Sequence, residues 1–200
     1  MKHRYLSLTM IVMGVLLAGA GPARAQDWGI KGGVNFGDVA WGEEVVLDTK
    51  LAMGAVGGMF MRFQPAKVIS LQLEALVSQV IVDFSSQGAD VTNTLTNLQV
   101  PVLIRYTVFN GSSVRVRAQG GASFEVVLFA QENVSGATQD IRETVAPWGA
   151  SFVVAGEVEW NRWVFDVRYV LGVTDIYQQE VAADFPARQR AVQVTAGFRF

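Results

Sequence analysis

The sequence predicts an all-β protein, an eight-stranded antiparallel up-and-down transmembrane β-barrel, and three observations carry that prediction. Eight segments alternate apolar and polar residues with a period of two, the signature of strands whose successive side chains point to opposite faces. All the charges within them fall on the polar face. The connections between segments alternate short and long. Beyond the amino terminus, no apolar run approaches the ~20 residues a helix needs to cross hydrocarbon, so any crossing has to be made by strands.

The amino terminus accounts for the one long apolar run. Met1-Lys2-His3-Arg4-Tyr5 is basic, Leu6 to Gly21 is apolar, and Ala23-Arg24-Ala25 is placed for cleavage. This is the order of a secretory signal peptide. Residues 1–25 are therefore expected to be removed, leaving 26–200 as the barrel. Removal takes Lys2, Arg4, Arg24 and the only histidine, His3, and leaves 13 basic against 18 acidic residues, a net charge of −5. An acidic chain without a basic cluster offers nucleic acid little to hold. There is no cysteine, and in an exported protein a closed hydrogen-bonded barrel can supply what disulfides otherwise would.

Taken in order, the first strand sets Trp28, Ile30, Val34 and Phe36 against Lys31, Gly33 and Asn35. The second, Ala52 to Phe63, sets Met53, Ala55, Met59, Met61 and Phe63 against Gly54, Gly58 and Arg62. The third, Ile69 to Val80, opposes Ile69, Leu71, Leu73, Ala75 and Val77 to Ser70, Gln72, Glu74 and Ser78. In the fourth, Thr96 to Val108, an apolar row from Leu98 to Val108 faces away from Asn97, Gln99, Arg105 and Thr107. The fifth, Val114 to Leu128, carries Arg115, Arg117, Gln119, Ser123 and Glu125 on its polar face. The sixth ends at Trp160, with Glu157 and Glu159 opposite Val158 and Trp160. The seventh sets Trp163, Phe165, Val167, Tyr169, Leu171 and Val173 against Asp166, Arg168, Gly172 and Thr174. The eighth, Ala191 to Phe200, sets Val192, Val194, Ala196, Phe198 and Phe200 against Gln193, Thr195, Gly197 and Arg199. A lipid-facing Arg or Lys costs about 2–4 kcal/mol at the bilayer midplane, which explains why the charges stay on one face.

Short connections are expected at Gln64 to Lys67, at Phe109 to Ser113 and at Asn161-Arg162, where Pro and Asn-Gly supply turn chemistry. Long ones are expected over Gly37 to Leu51, Ile81 to Leu95, Phe129 to Ala146 and Asp175 to Gln189. Membrane barrels keep their short turns periplasmic and their long loops outside, so both mature termini are expected in the periplasm. The long connections carry Glu43, Glu44, Asp48, Asp90, Glu132, Asp140, Glu143, Glu180 and Asp184, read as a solvated acidic surface.

The last strand, ending on an aromatic residue, resembles the closing strand of a bacterial outer-membrane barrel. That resemblance implies that Phe198 and Phe200 form a signal for the barrel-assembly machinery. Gly29-Ile30-Lys31-Gly32-Gly33-Val34-Asn35, Leu71-Gln72-Leu73-Glu74-Ala75-Leu76 and Leu98 to Tyr106 resemble the first, third and fourth strands of PorT-like outer-membrane β-barrel proteins of Bacteroidetes-type bacteria. Membership implies the eight-stranded fold and a place in the Gram-negative outer membrane. It also implies a link to protein secretion and gliding through PorT itself.

Eight strands enclose a lumen that side chains can fill. The polar faces place Lys31, Arg62, Arg105, Arg115, Arg117, Arg168 and Arg199 inside with Glu74, Glu125, Glu157, Glu159 and Asp166. Buried charges persist when paired and hydrogen-bonded, so an interior salt-bridge network is expected rather than a selective pore. Trp28, Trp160 and Trp163 fall at one end, as an interfacial aromatic girdle would.

No catalytic, metal or cofactor site is expected. The mature chain lacks the His and Cys on which nucleophilic sites usually depend, and Glu157 with Glu159 are read as structural. The expected function is that of a non-enzymatic integral outer-membrane protein with a plugged polar interior, serving envelope structure, surface interaction or secretion as an accessory. Its expected partners are outer-membrane lipid and an unidentified surface or periplasmic protein. The competing class is a soluble exported barrel that, like a lipocalin, lines its cavity with the charge-free face and carries a small apolar ligand. A third is an outer-membrane enzyme with a histidine-free site.

Overall fold

The computed structural model describes residues 27–41, 52–64, 66–86, 89–134, 137–142, 144–175 and 187–200. The signal-peptide segment expected at 1–25 lies outside them, as do Glu43, Glu44, Asp48, Glu143, Glu180 and Asp184 of the acidic connections. The described residues form nine strands: β1 Asp27–Trp41, β2 Ala52–Phe63, β3 Ile69–Ser86, β4 Ala89–Asn110, β5 Val114–Val134, β6 Ala137–Asp140, β7 Trp148–Trp160, β8 Trp163–Asp175 and β9 Ala187–Arg199. Every pairing is antiparallel. Each stave pairs with the next in sequence, and β1 closes on β9 from Gly29↔Arg199 to Trp41↔Ala187. Eight staves thus make a closed barrel, β1-β2-β3-β4-β5-β7-β8-β9, in which every stave pairs with two neighbours. The ninth strand, β6, is a short addition pairing with the far end of β5 alone.

The extra strand corrects the reading of the connections. Ile81 to Leu95 is not a loop: β3 and β4 continue as a paired ladder to Ser86↔Ala89. Phe129 to Ala146 likewise holds the end of β5 and all of β6, paired from Gln131↔Asp140 to Val134↔Ala137. Asp90, Glu132 and Asp140 therefore lie on strands. The apolar alternation fades here, at Thr92-Asn93-Thr94, while backbone hydrogen bonding continues, because the ladder itself asks nothing of the side chains. The short turns after β4 and β7 form as expected, and Asn161 takes a left-handed φ of 54°, a conformation Asn tolerates better than most residues.

Two bulges interrupt the β4–β5 ladder, and the β8–β9 register shifts between Leu171 and Asp175. Val108 is extra on β4 and Leu128 extra on β5, since Asn97 pairs with Val127 while Thr96 pairs with Phe129. After Leu128 the facing changes phase: Val127 and Ala130 are buried and Phe129 is exposed. Pro101 sits within β4 paired to Ser123, and the β3–β4 ladder lapses beside it, between Leu73↔Val102 and Leu76↔Gln99. A missing N–H explains the lapse. Gly121 marks a close approach, because an added Cβ would lie 2.0 Å from the Val102 carbonyl oxygen.

The facing decides between membrane barrel and ligand carrier. The charge-free face points outward, with Ile104, Val108, Val154 and Phe152 each about 60% exposed, and the charges point inward. A carrier needs the reverse. Outward aromatics gather at two heights: Trp28, Tyr106, Phe109, Trp160, Trp163 and Phe200 at the short-turn end, and Phe124, Trp148 and Phe152 toward the other. Trp148 to Trp160 spans β7, about 40 Å along a strand. At a tilt of 35–45° that is about 28–32 Å of height, close to the thickness of a hydrocarbon core.

Candidate functional site

The inward positions of the staves fill the lumen in layers. Nearest the short turns, Glu157 and Glu159 of β7 stand among arginines from four other staves. Glu157 accepts from Arg62 Nη2 at 3.0 Å, from Arg117 Nη1 at 3.2 Å, from Gln119 Nε2 at 2.6 Å and from Arg105. Glu159 meets Arg117 Nη1 at 2.8 Å, Arg62 Nη1 at 2.9 Å, Arg115 Nη1 at 3.2 Å and Arg199 Nη2 at 3.4 Å. Each carboxylate is surrounded by charge-assisted donors, a structural use.

A second group occupies the next layer. Lys31 Nζ lies 2.7 Å from Glu74 and 2.8 Å from Asp166, and Arg168 reaches Glu74 through Nη1 at 2.6 Å and Asp166 through Nε at 2.9 Å. Thr195 Oγ1 donates to Asp166 at 2.7 Å. All four charged side chains are essentially sealed from solvent. Gln72 joins the two groups, accepting from Arg62 Nε at 2.7 Å and donating to Glu74. Phe60 lies between them, with Arg62 4.4 Å and Lys31 5.9 Å from its ring centroid, a cation–π geometry. Gly29 makes room for it, since a Cβ there would meet Phe60 Cζ at 2.4 Å.

Above these layers neutral groups dominate the lumen, with the Glu125 carboxylate among them. Gln193 donates to Gln99 at 3.2 Å and Asn35 to Ser78 at 3.0 Å. Leu103, Val153, Val170 and Ala191 pack as a buried apolar cluster. In register, only Gly121 of β5 separates Leu103 of β4 from Val153 of β7. Three polar links join opposite staves: Arg62 of β2 to Glu157 and Glu159 of β7, Arg168 of β8 to Glu74 of β3, and Gln193 of β9 to Gln99 of β4. The lumen is spanned at successive heights.

The sequence-derived set is placed unevenly. Lys31, Arg62, Glu74, Arg105, Arg117, Glu125, Glu157, Glu159, Asp166 and Arg168 are buried inside. Arg115 is inward but lies at the mouth, with 42% of its side chain exposed. Arg199 lies at the rim and pairs with Asp27 at 2.7 Å. Glu125, expected to be ion-paired with its strand neighbours, is not: it accepts from Ser151 Oγ at 2.6 Å and Gln99 Nε2 at 3.5 Å. It lies eight residues along β5 from Arg117, about 26 Å at strand rise, beyond that side chain's reach. It borders instead a cavity of about 40 Å³ shared with Asn97, Trp148 and Asp175.

Of the aromatics, Trp28 stacks on Phe200 with centroids 4.3 Å apart, and Trp163 meets Phe198 edge-on at 5.4 Å. Trp160 pairs with Trp163 across the turn. The Phe200 backbone N–H donates to the Trp28 carbonyl oxygen at 2.9 Å. Among the described residues, no group of three or more His, Cys, Asp or Glu is placed to hold a metal.

With closed topology and an ion-paired lumen in view, comparison with known proteins decides the family. Residues 22–178 match the family model described as an outer membrane protein beta-barrel domain. The chain belongs to that outer-membrane β-barrel family. Its location is accordingly the outer membrane. Neisserial surface protein A superposes with a TM-score of 0.52 at 8% identity, over 88% of this chain and 100% of that one. The chain is also similar to OprG from Pseudomonas aeruginosa (TM-score 0.48, 12% identity, 88% and 96% covered) and Ail of Yersinia pestis (0.46, 12%, 87% and 98%). At such identities the likeness is one of fold. No curated protein matches the chain.

Three participants were missed by sequence reasoning. Asp27 shares the inward parity of Lys31 and could have been found by extending the first strand by one position. Gln72 was placed on the polar face, but nothing in its type marked it as the link between two charge groups. Phe60 was hidden by being apolar on the polar side.

Proposed function

We propose that this protein is a non-catalytic, non-conducting outer-membrane barrel that acts through the surfaces it presents. Such a protein serves envelope structure, surface interaction or secretion as an accessory. The observation that carries the reading is the lumen crossed between opposite staves by Arg62–Glu157, Arg168–Glu74 and Gln193–Gln99. A pore so strutted has no continuous path for a solute. What remains to meet a partner are the two mouths and the ladders beyond the upper aromatics. There β5 continues ten residues past Phe124, about 33 Å of paired strand.

The PorT-like resemblance rests on the strand motifs around Lys31, Glu74 and Arg105 and supports the secretion-accessory role. Orientation follows the general habit, with short turns and termini periplasmic and ladders outside. Export through a signal peptide cleaved after Ala25, and recognition of Phe198 and Phe200 by the assembly machinery, complete the proposed route. The deciding experiment pairs cell fractionation with planar-bilayer recording. Outer-membrane recovery without stable single-channel conductance is expected, and ohmic conductance above bare bilayer would refute the plugged reading.

A further inference from the structure

We infer that the short-turn mouth of the barrel binds a phosphate group. A cavity of about 120 Å³ opens there, lined by Gln64, Lys67, Thr107, Asn110, Arg115 and Arg117. On the scale of about 30 Å³ per water, this is room for one tetrahedral oxyanion. The wall is built of donors: three cations, two side-chain amides and a hydroxyl, with no carboxylate among them.

The charge of the layer behind it makes the same point independently. Arg62, Arg105, Arg115, Arg117 and Arg199 share Glu157, Glu159 and Asp27. Five cations therefore meet three anions, and Lys67 at the mouth has no ion-pair partner among the described residues. In the same layer the buried Nε atoms of Arg105 and Arg199 and the buried Oε1 of Gln119 have no hydrogen-bond partner. Uncompensated like charge at low dielectric is costly, and an arriving oxyanion relieves it. Arg117, itself buried and already bonded to both glutamates, is held rigidly toward the cavity, the preorganisation that phosphate recognition by arginine favours. The phosphate can be a free ion or the headgroup of a lipid reaching round the rim.

The test uses the full mature barrel folded in a neutral detergent. One arm titrates inorganic phosphate by calorimetry against chloride at equal ionic strength. The other follows retention of phosphatidylglycerol by native mass spectrometry. Saturable phosphate binding weakened about tenfold in Lys67→Gln and Arg115→Gln, the loss of one charge-assisted bond, supports a free oxyanion. Phosphatidylglycerol adducts lost in the same variants support a headgroup. Absence of both, or binding unchanged in the variants, overturns the inference. Lys67 lies in an exposed turn outside the strands, so Lys67→Gln decides the matter if Arg115→Gln fails to fold. Neither readout depends on whether the barrel conducts.

Discussion

Replacing Glu157 with alanine tests the interior most directly. The residue is 1% exposed and its carboxylate accepts from three arginines and Gln119. Its loss leaves Arg62, Arg105 and Arg117 facing one another with Glu159 as their remaining counter-charge. Removing one partner of a buried ion pair typically costs about 3–5 kcal/mol, and the four lost bonds place this variant toward the upper figure. Glu157→Gln keeps an acceptor and forfeits the charge, so a smaller loss of about 1.5–3 kcal/mol is expected. Asp27→Ala is the control. Its pair with Arg199 is 39% and 22% exposed, in the class where ion pairs contribute about 0.2–1 kcal/mol. Reversible urea unfolding in detergent or lipid vesicles, followed by tryptophan fluorescence, measures all three. If Glu157→Ala costs no more than Asp27→Ala, the lumen is solvated and the ion groups contribute nothing to closure.

Val154, 62% exposed and midway between Trp148 and Trp160 on β7, should lose about 2–4 kcal/mol as Val154→Arg in lipid vesicles; an unchanged midpoint would mean that this face does not meet hydrocarbon. Gly121→Ala forces a Cβ against the Val102 carbonyl and should cost about 1–3 kcal/mol, as overpacking does, visible as a lower urea midpoint; wild-type stability would show that the staves part freely there. Deleting Phe200 removes the stack on Trp28 and the hydrogen bond to its carbonyl, and membrane levels in cells should fall; equal levels would count against a role in assembly. Mass spectrometry of the purified barrel should find Gln26 at its amino terminus, and a retained 1–25 would refute cleavage.

The eight staves were legible because lipid on one side and a narrow lumen on the other force strict alternation. Where one of those constraints lapses, so does legibility. Thr92-Asn93-Thr94 belongs to a ladder that extends past the apolar band, and nothing there required one face to be apolar. Leu128 reads as one more apolar residue in a row, since a bulge changes facing without changing composition. The charged membership of the lumen was readable from parity, whereas its division into groups was not. Which carboxylate an arginine meets depends on the stagger between staves, and that stagger placed Glu125 out of reach. Phe60, Leu76 and Leu103 sit inside the lumen, where periodicity reports the facing but residue type argues against it.

The links between opposite staves bear on how such a barrel comes into being. Arg62 is 95 residues from Glu157, and Arg168 is 94 from Glu74, so neither bond belongs to a hairpin that could form early by itself. Long-range contacts of this kind form late because the intervening chain must be ordered first. Until β1 meets β9, the growing sheet has one face suited to lipid and another lined with unpaired arginines and glutamates that need water. An unfinished barrel is thus a wetted trough in the membrane, and closing it trades that water for the ion pairs. The interior charges then act as a latch: weak while the seam is open, and strongest in opposing its reopening once the last strand is in place.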